Sequence, residues 1–367
     1  MRIFSLISTF YFFFFAIIGV YVIYLPKVLD ILGYSSLQIG IIFSISPLMR
    51  FLTPFLFLKR WQLTPTIYKY ALFLALIAGI LFFLTIKNFY LFIIPNILLG
   101  ISFALTLPFV ETIALAHIGK ERYGKSRLFG SLGFIFVALV LAKFMHEPHY
   151  ALWFMFGAIF FTTLFGYPLA KESSTKERMS NEENNGFSLL SHWPLWANLF
   201  LMQVSFGPFY NFFTIYEKEH GLDYTTISYL WTFGVLAEIF MLYFQGPLLR
   251  GNLLKILQLC TLITAGRWLL LHFFPTNLPI LYFAQSLHAF SFALYYTAAI
   301  SHLYHLYTNK TLAQQFFGGI SFGLGGMVGS FLAGLFYGKY LFLYAAAVAF
   351  IAWAVLLIKN PKRSSLS

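Results

Sequence analysis

The sequence predicts an all-α integral membrane protein, with twelve transmembrane helices in two pseudo-symmetric six-helix bundles. Three observations lead there. Of the 367 residues 60% are hydrophobic and only 10% charged, whereas soluble domains carry charge on about a quarter of their residues. The apolar residues gather in runs close to the roughly 20 residues needed to cross a bilayer core. The basic residues then fall mainly on one side of those runs, as the orientation rule for spanning helices requires.

The runs lie at 3–24, 37–58, 70–86, 89–116, 128–145, 150–169, 193–215, 225–248, 254–274, 279–302, 313–336 and 340–358. Backbone groups in lipid must be paired within a segment, so each run reads as a helix. The first run follows Arg2, is too long for a signal-peptide core and lacks a small-residue cleavage site, so it reads as a span. With the N-terminus inside, seventeen basic residues fall on the inner side: Arg2, Lys59, Arg60, Lys69, Lys120, Arg122, Lys125, Arg127, Lys171, Lys176, Arg178, Arg250, Lys255, Lys310, Lys359, Lys362 and Arg363. Five fall outside: Lys27, Lys87, Lys143, Lys218 and Lys339. The asymmetry puts both termini in the cytoplasm and accounts for the formal charge of +12 without a nucleic acid. The single cysteine, Cys260, excludes an intramolecular disulfide.

The longest hydrophilic stretch, KESSTKERMSNEENN at 171–185, has no apolar periodicity and divides the chain. The expected organisation is a six-helix bundle over 1–170, a cytoplasmic linker over 171–192, a second bundle over 193–359 and a tail over 360–367. The halves echo each other weakly. Gly33-Tyr-Ser-Ser leads into the run that carries Arg50, and Gly221-Leu-Asp-Tyr leads into the run that carries Glu238. Aligning the two glycines brings these charges within two positions. Repeated halves are what alternating access between two bundles uses.

Ionisable residues inside spans are expensive, about 2.5–3.5 kcal/mol or more near the bilayer centre, and so mark cavities or partners. Five stand out: Arg50, Glu111, Glu238, Arg267 and His288. Arg50 either pairs with a neighbouring helix, snorkels or faces a cavity. His288 either bonds between helices or lines a site. Desolvated carboxylates make poor structural glue, which favours function for Glu111 and Glu238. Helical spacing puts Trp231, Gly234, Glu238 and Gln245 on one face, and Gln285, His288, Tyr295 and His302 on another. Gln203, Tyr210 and Asn211 add a third polar-aromatic stripe. At about 1.5 Å per residue, Glu238, Arg267 and His288 fall within roughly 10 Å of one another in depth, near the midplane. Transporter sites lie there.

The stretch Tyr123-Gly-Lys-Ser-Arg-Leu-Phe-Gly-Ser-Leu-Gly-Phe134 resembles the start of the fifth helix in the lactose permease family, closest in style to its phenylpropionate-permease group. Leu287-His-Ala-Phe290 is similar to the Leu-His element of its tenth helix. The resemblance implies the major facilitator fold. It also implies that Glu111 and Arg127 pair and bind substrate, and that Glu238, Arg267 and His288 form a coupling cluster. Ser291 stands where lactose permease has a second Glu, which leaves Glu238 as the proton acceptor. The 59–64 loop lacks the Gly and Asp of the usual major facilitator motif.

The expected function is a proton-coupled secondary transporter of a small organic solute (an aromatic acid, a sugar or a nucleoside) in a bacterial inner membrane. The expected substrate-binding set is Glu111, Arg127, Tyr210, Asn211, Trp231, Gln285 and His288, with coupling through Glu238, Arg267 and His288. No cofactor and no obligate protein partner are expected, and membrane lipid is the solvent. There is no Walker motif. The pairs His146/His149 and His302/His305 lack a third convergent ligand, which argues against metal catalysis. A solute sensor without transport is the alternative that would keep the cavity and lose the coupling.

Overall fold

The computed structural model describes residues 2–58, 63–145, 147–172 and 188–358, and all regular structure among them is helical. The rods are α1 (Arg2–Ile31), α2 (Ser36–Leu58), α3 (Pro65–Thr85), α4 (Phe89–Gly119), α5 (Arg122–Ala142), α6 (His149–Lys171), α7 (Trp193–Glu219), α8 (Tyr224–Phe244) and α9 (Leu253–Phe273). Three segments, Leu278–Ser286, Ala289–Leu294 and Tyr295–Leu306, make up α10. Lys310–Phe317, Gly318–Gly325 and Gly326–Leu335 make up α11, and Leu341–Val355 is α12. Among the described residues nine helices are long and apolar enough to cross a membrane. The runs expected at 193–215, 279–302 and 340–358 are helical but fall outside that set. The basic residues Lys59, Arg60, Lys176, Arg178, Lys359, Lys362 and Arg363, residues 173–187 of the expected linker, the tail at 360–367 and His146 lie outside the described residues.

Polar caps set the helix starts. Asn88, Asp223, Asn252, Asn277 and Asn309 each accept, through the side-chain oxygen, the backbone N–H three residues on, at 2.9–3.2 Å. This satisfies one of the donors that a helix N-terminus leaves free. At Asp223 the Thr226 hydroxyl also donates, and the paired bonds hold the exposed carboxyl below its ordinary range. Hydropathy alone misses such signals. Hence α3 starts at Pro65, behind the Thr64 cap, rather than at 70. Likewise α5 starts at Arg122 rather than 128, which puts Arg127 inside the helix rather than at its mouth. The α4–α5 turn is made at Gly119, whose φ of 71° is strained for any residue with a Cβ.

The first six rods pack on one another and the last six on one another. In the first group α5 lies so close to α1 that a Cβ on Gly133 would sit 1.9 Å from the Phe12 carbonyl oxygen. Tyr68 stacks on Phe109 with ring centroids 4.1 Å apart, and Tyr21 donates to Asn96 at 2.8 Å. In the second group buried Asn198 ties four rods. It donates to Thr261 at 3.2 Å and to the Ala352 carbonyl at 3.0 Å, and it accepts from Tyr295 at 2.6 Å. Between helices in lipid, close backbone approach and such polar bonds take the place of a hydrophobic drive.

The groups meet along α2/α11, α5/α8 and the end of α1 against α7. The α2/α11 seam is tight at Gly40 and Gly334: a Cβ on Gly40 would meet the Gly334 Cα at 2.7 Å and the Ser330 carbonyl oxygen at 2.8 Å, and one on Gly334 would meet the Ser36 carbonyl oxygen at 2.5 Å. At α5/α8, Phe134 lies 6.2 Å from Trp231, ring to ring. Gly40, Gly334 and Trp231 belong to the halves of their rods remote from the Gly119 turn, so the seam is closed at that end.

One expectation about face is corrected. In α10 the turn Ala289–Leu294 has π geometry. The extra residue advances the phase, so the side chain one face below His288 is that of Tyr296 and not Tyr295. Tyr295 is 5% exposed and bonded to Asn198, away from the seam between the groups.

Candidate functional site

At the centre of the second group Arg267 of α9 is fully buried. Its Nη1 donates to His288 Nδ1 at 3.0 Å and to Ser291 Oγ at 3.1 Å, and its Nη2 donates to Gln285 Oε1 at 2.9 Å. The guanidinium carbon also lies 4.4 Å from the Phe209 ring centroid and 4.7 Å from that of Trp268. Such cation–π contacts are worth up to about 2 kcal/mol when desolvated. No carboxylate lies within 4.0 Å of Arg267 among the described residues. Where the resemblance would have a second acid, Ser291 serves as a neutral acceptor.

The bond from Arg267 fixes the histidine. A guanidinium only donates, so Nδ1 of His288 must present its lone pair and the imidazole carries its proton on Nε2. That nitrogen faces Glu238 Oε2 of α8 at 3.7 Å. The Glu238 side chain is one-fifth exposed, and Arg127 of α5 is near enough to act on it electrostatically. The order Arg267, His288, Glu238 therefore runs from the buried core of the second group toward the seam with the first.

Across the seam Arg127 Nε lies 3.7 Å from Glu111 Oε1, and Tyr123 donates to the same oxygen at 3.2 Å. The Arg127 guanidinium carbon sits 4.0 Å from the Phe15 ring centroid and 5.2 Å from that of Tyr11. Glu111 and Arg127 are each about a third exposed. Tyr296 on α10, across the seam, lies within electrostatic range of both. Arg50 of α2 joins them, acting on and acted on by Glu111 and Tyr296. It makes no ion pair or hydrogen bond among the described residues.

The other expected site residues are placed differently. Trp231 is 4% exposed, its indole N–H donates to Thr214 at 3.1 Å, and its ring packs against Phe209. Asn211 donates to Ser330 at 2.7 Å, tying α7 to α11. Gln285 is fully buried and serves Arg267. Tyr210 stacks on Phe206 and is partly exposed. Gln245 donates to Thr297 at 3.1 Å. Tyr123 and Tyr296 escaped sequence reading. The first was visible as one turn before Arg127, the second hidden by the π turn. Glu217 escaped it too. Helix α7 runs on past 215, and Glu217 is fully buried with neither carboxyl oxygen hydrogen-bonded among the described residues.

The chain is 25% identical over 206 residues to a probable 3-phenylpropionic acid transporter of Escherichia coli (strain K12), covering 52% of this chain and 53% of that protein. It is 27% identical over 212 residues to a maltose permease of Geobacillus stearothermophilus, covering 54% and 52%. These matches span about half the length of both relatives. An uncharacterized transporter, YwbF, of Bacillus subtilis (strain 168) is 24% identical over 86% of this chain and 82% of its own. Among solved structures, the nucleoside transporter NupG superposes with a TM-score of 0.81 at 16% identity, covering 98% of this chain and all of its own. A bacterial homologue of the iron transporter ferroportin in an inward-facing state gives 0.75 at 13%, covering 99% of each. At these identities the structures speak to the fold alone. The model of the MFS_1-like family matches residues 4–350, nearly the whole chain, and the protein is thus an integral membrane member of that major facilitator family.

Proposed function

We propose that this chain is a secondary active transporter that moves a small organic solute, of the aromatic acid, sugar or nucleoside type, by alternating access coupled to protons. The observation that carries the reading is the row of ionisable groups at the seam. Glu111 and Arg127 belong to one group of rods and Glu238 and His288 to the other, and the charges of the two sides act on each other. A site shared by two bodies changes its access when they rock. The relatives' names, a phenylpropionic acid transporter and a maltose permease, support a small organic cargo.

The organisation that goes with it is twelve spans in two bundles, 1–170 and 193–359, joined by a cytoplasmic linker, with both termini on the cytoplasmic side of an inner membrane. A reporter fused after Ser367 reads cytoplasmic, and an external reading would sink that topology. The transport test is counterflow in proteoliposomes with labelled aromatic acids, sugars and nucleosides, with and without a pH gradient. One class exchanges saturably. Arg127→Ala leaves Glu111 partly buried and unpaired, a loss of roughly 3–5 kcal/mol for a buried pair and less here because both partners are a third exposed. Saturable exchange then falls at least tenfold. Unchanged affinity in Arg127→Ala would remove the pair from the binding site, and no exchange of any class would remove the transporter reading.

A further inference from the structure

Resting on that reading of the site, we infer that Arg50 is the anchor for a carboxylate on the solute, and that the substrate class is an aromatic monocarboxylate rather than a neutral sugar or nucleoside. Three observations converge. Arg50 lies fifteen residues into α2, inside the membrane, with no hydrogen bond and no ion pair among the described residues. A cation so placed is normally paired or faces a cavity. Its electrostatic neighbours are Glu111 and the Tyr296 hydroxyl, and Glu111 is already engaged by Arg127 and Tyr123.

The charge balance of the seam points the same way. Arg50 and Arg127 stand against Glu111, with His288 held neutral by its bond from Arg267. With Arg267 counted as well, the site holds one positive charge more than negative when Glu238 is ionised and two more when it carries a proton. A monoanion removes one unit of that excess, and a neutral solute leaves Arg50 uncompensated. Planar guanidinium geometry favours a carboxylate held by two parallel bonds.

The third observation is the wall beside that charge. His288, Phe292 and Tyr296 form a stack, with centroids 5.3 Å and 6.3 Å apart and interplanar angles of 7° and 21°. Phe322 of α11 closes on Tyr296 at 5.8 Å and on Phe292 at 6.5 Å. Phe292, Tyr296 and Phe322 are all partly exposed. An aromatic face of this kind stacks a ring. A sugar would ask instead for several polar partners, whereas this wall presents ring faces.

The test is binding to the purified full-length protein in detergent by isothermal titration. The probes are benzoate, phenylacetate and 3-phenylpropionate, each against its primary amide. The amide keeps size and ring and removes the charge. At least one acid binds ten times or more tighter than its amide. In Arg50→Gln that preference falls to within a factor of two, while the affinity of the amide stays within threefold. Arg50→Lys keeps part of the preference, because it restores charge without the fork. Equal binding of acid and amide by the parent protein overturns the inference, as does an undiminished preference in Arg50→Gln, and so does failure of all three acids to bind. The parent comparison needs no variant to fold. If the proteoliposomes exchange a sugar or a nucleoside and ignore these acids, the anion anchor is wrong and the transporter reading stands.

Discussion

Gly40→Leu abolishes uptake and leaves both helical groups folded. The Cβ of any larger residue there would sit 2.7 Å from the Gly334 Cα and 2.8 Å from the Ser330 carbonyl oxygen. Both neighbours are backbone or bear on it, so no side chain can swing aside. These contacts lie between α2 and α11, one rod from each group, and the relief available is for the two groups to part at that end. Overpacking inside a tight contact is worth about 1–3 kcal/mol, and every 1.4 kcal/mol moves an equilibrium tenfold. A leucine therefore disfavours the closed end by about five- to a hundredfold or more. Gly207→Leu is the control, because its Cβ would meet the Gly329 backbone at 2.2 Å between α7 and α11, within one group. That variant unfolds or fails to accumulate. With Ser330→Cys as the probe, buried at 5% exposure in the parent sequence, Gly40→Leu makes the thiol reactive to an impermeant maleimide, and Cys260 stays buried. Normal uptake by Gly40→Leu would mean that this end never needs to close.

The membrane class, the helical runs and the family resemblance were legible because lipid imposes a single rule on sequence, an apolar run with its backbone paired inside. Charge inside those runs was legible for the same reason, and Glu111, Arg127, Glu238, Arg267 and His288 do come within two clusters. The errors lie where local geometry overrides hydropathy. The cap at Thr64 moved the start of α3. A helix that outruns its apolar stretch carried Glu217 into the interior. One π turn put Tyr296, and not Tyr295, beside the acids. Stripes at helical spacing also mixed two roles. On α8, Glu238 faces the seam, but Trp231 spends its N–H on Thr214 and its ring on Phe209. Periodicity tells which residues share a face, and only packing tells whether that face is wet.

The last expected result concerns coupling. Glu238→Gln exchanges substrate at close to the parent rate and fails to accumulate it against a pH gradient. Three features of the structure motivate this. Glu238 is the carboxylate at the end of the Arg267–His288 chain, 3.7 Å from His288 Nε2. His288 is committed as a neutral donor by the bond it accepts from Arg267, so it can steady a carboxylate without itself supplying a full charge. The counter-charge that can come and go is Arg127, which acts on Glu238 across the seam between the two groups. When the groups rock, the distance between α5 and α8 changes, and with it the electrostatic support for the ionised carboxyl. Withdrawal of Arg127 favours the bound proton, and its approach favours release. A glutamine has the shape of the protonated acid and cannot exchange a proton, so rocking and solute exchange continue while the link to the gradient is cut. For one proton per solute, each pH unit supports about a tenfold accumulation. The parent should thus concentrate solute roughly tenfold for a one-unit gradient, and Glu238→Gln should reach only equality. The measurement is the internal-to-external ratio of labelled substrate in proteoliposomes, read beside counterflow in the same preparation. If Glu238→Gln accumulates as the parent does, coupling lies elsewhere, and Glu111, the acid paired with Arg127, is the next carboxyl to neutralise. If the parent ignores the gradient altogether, the proton is not the coupling ion.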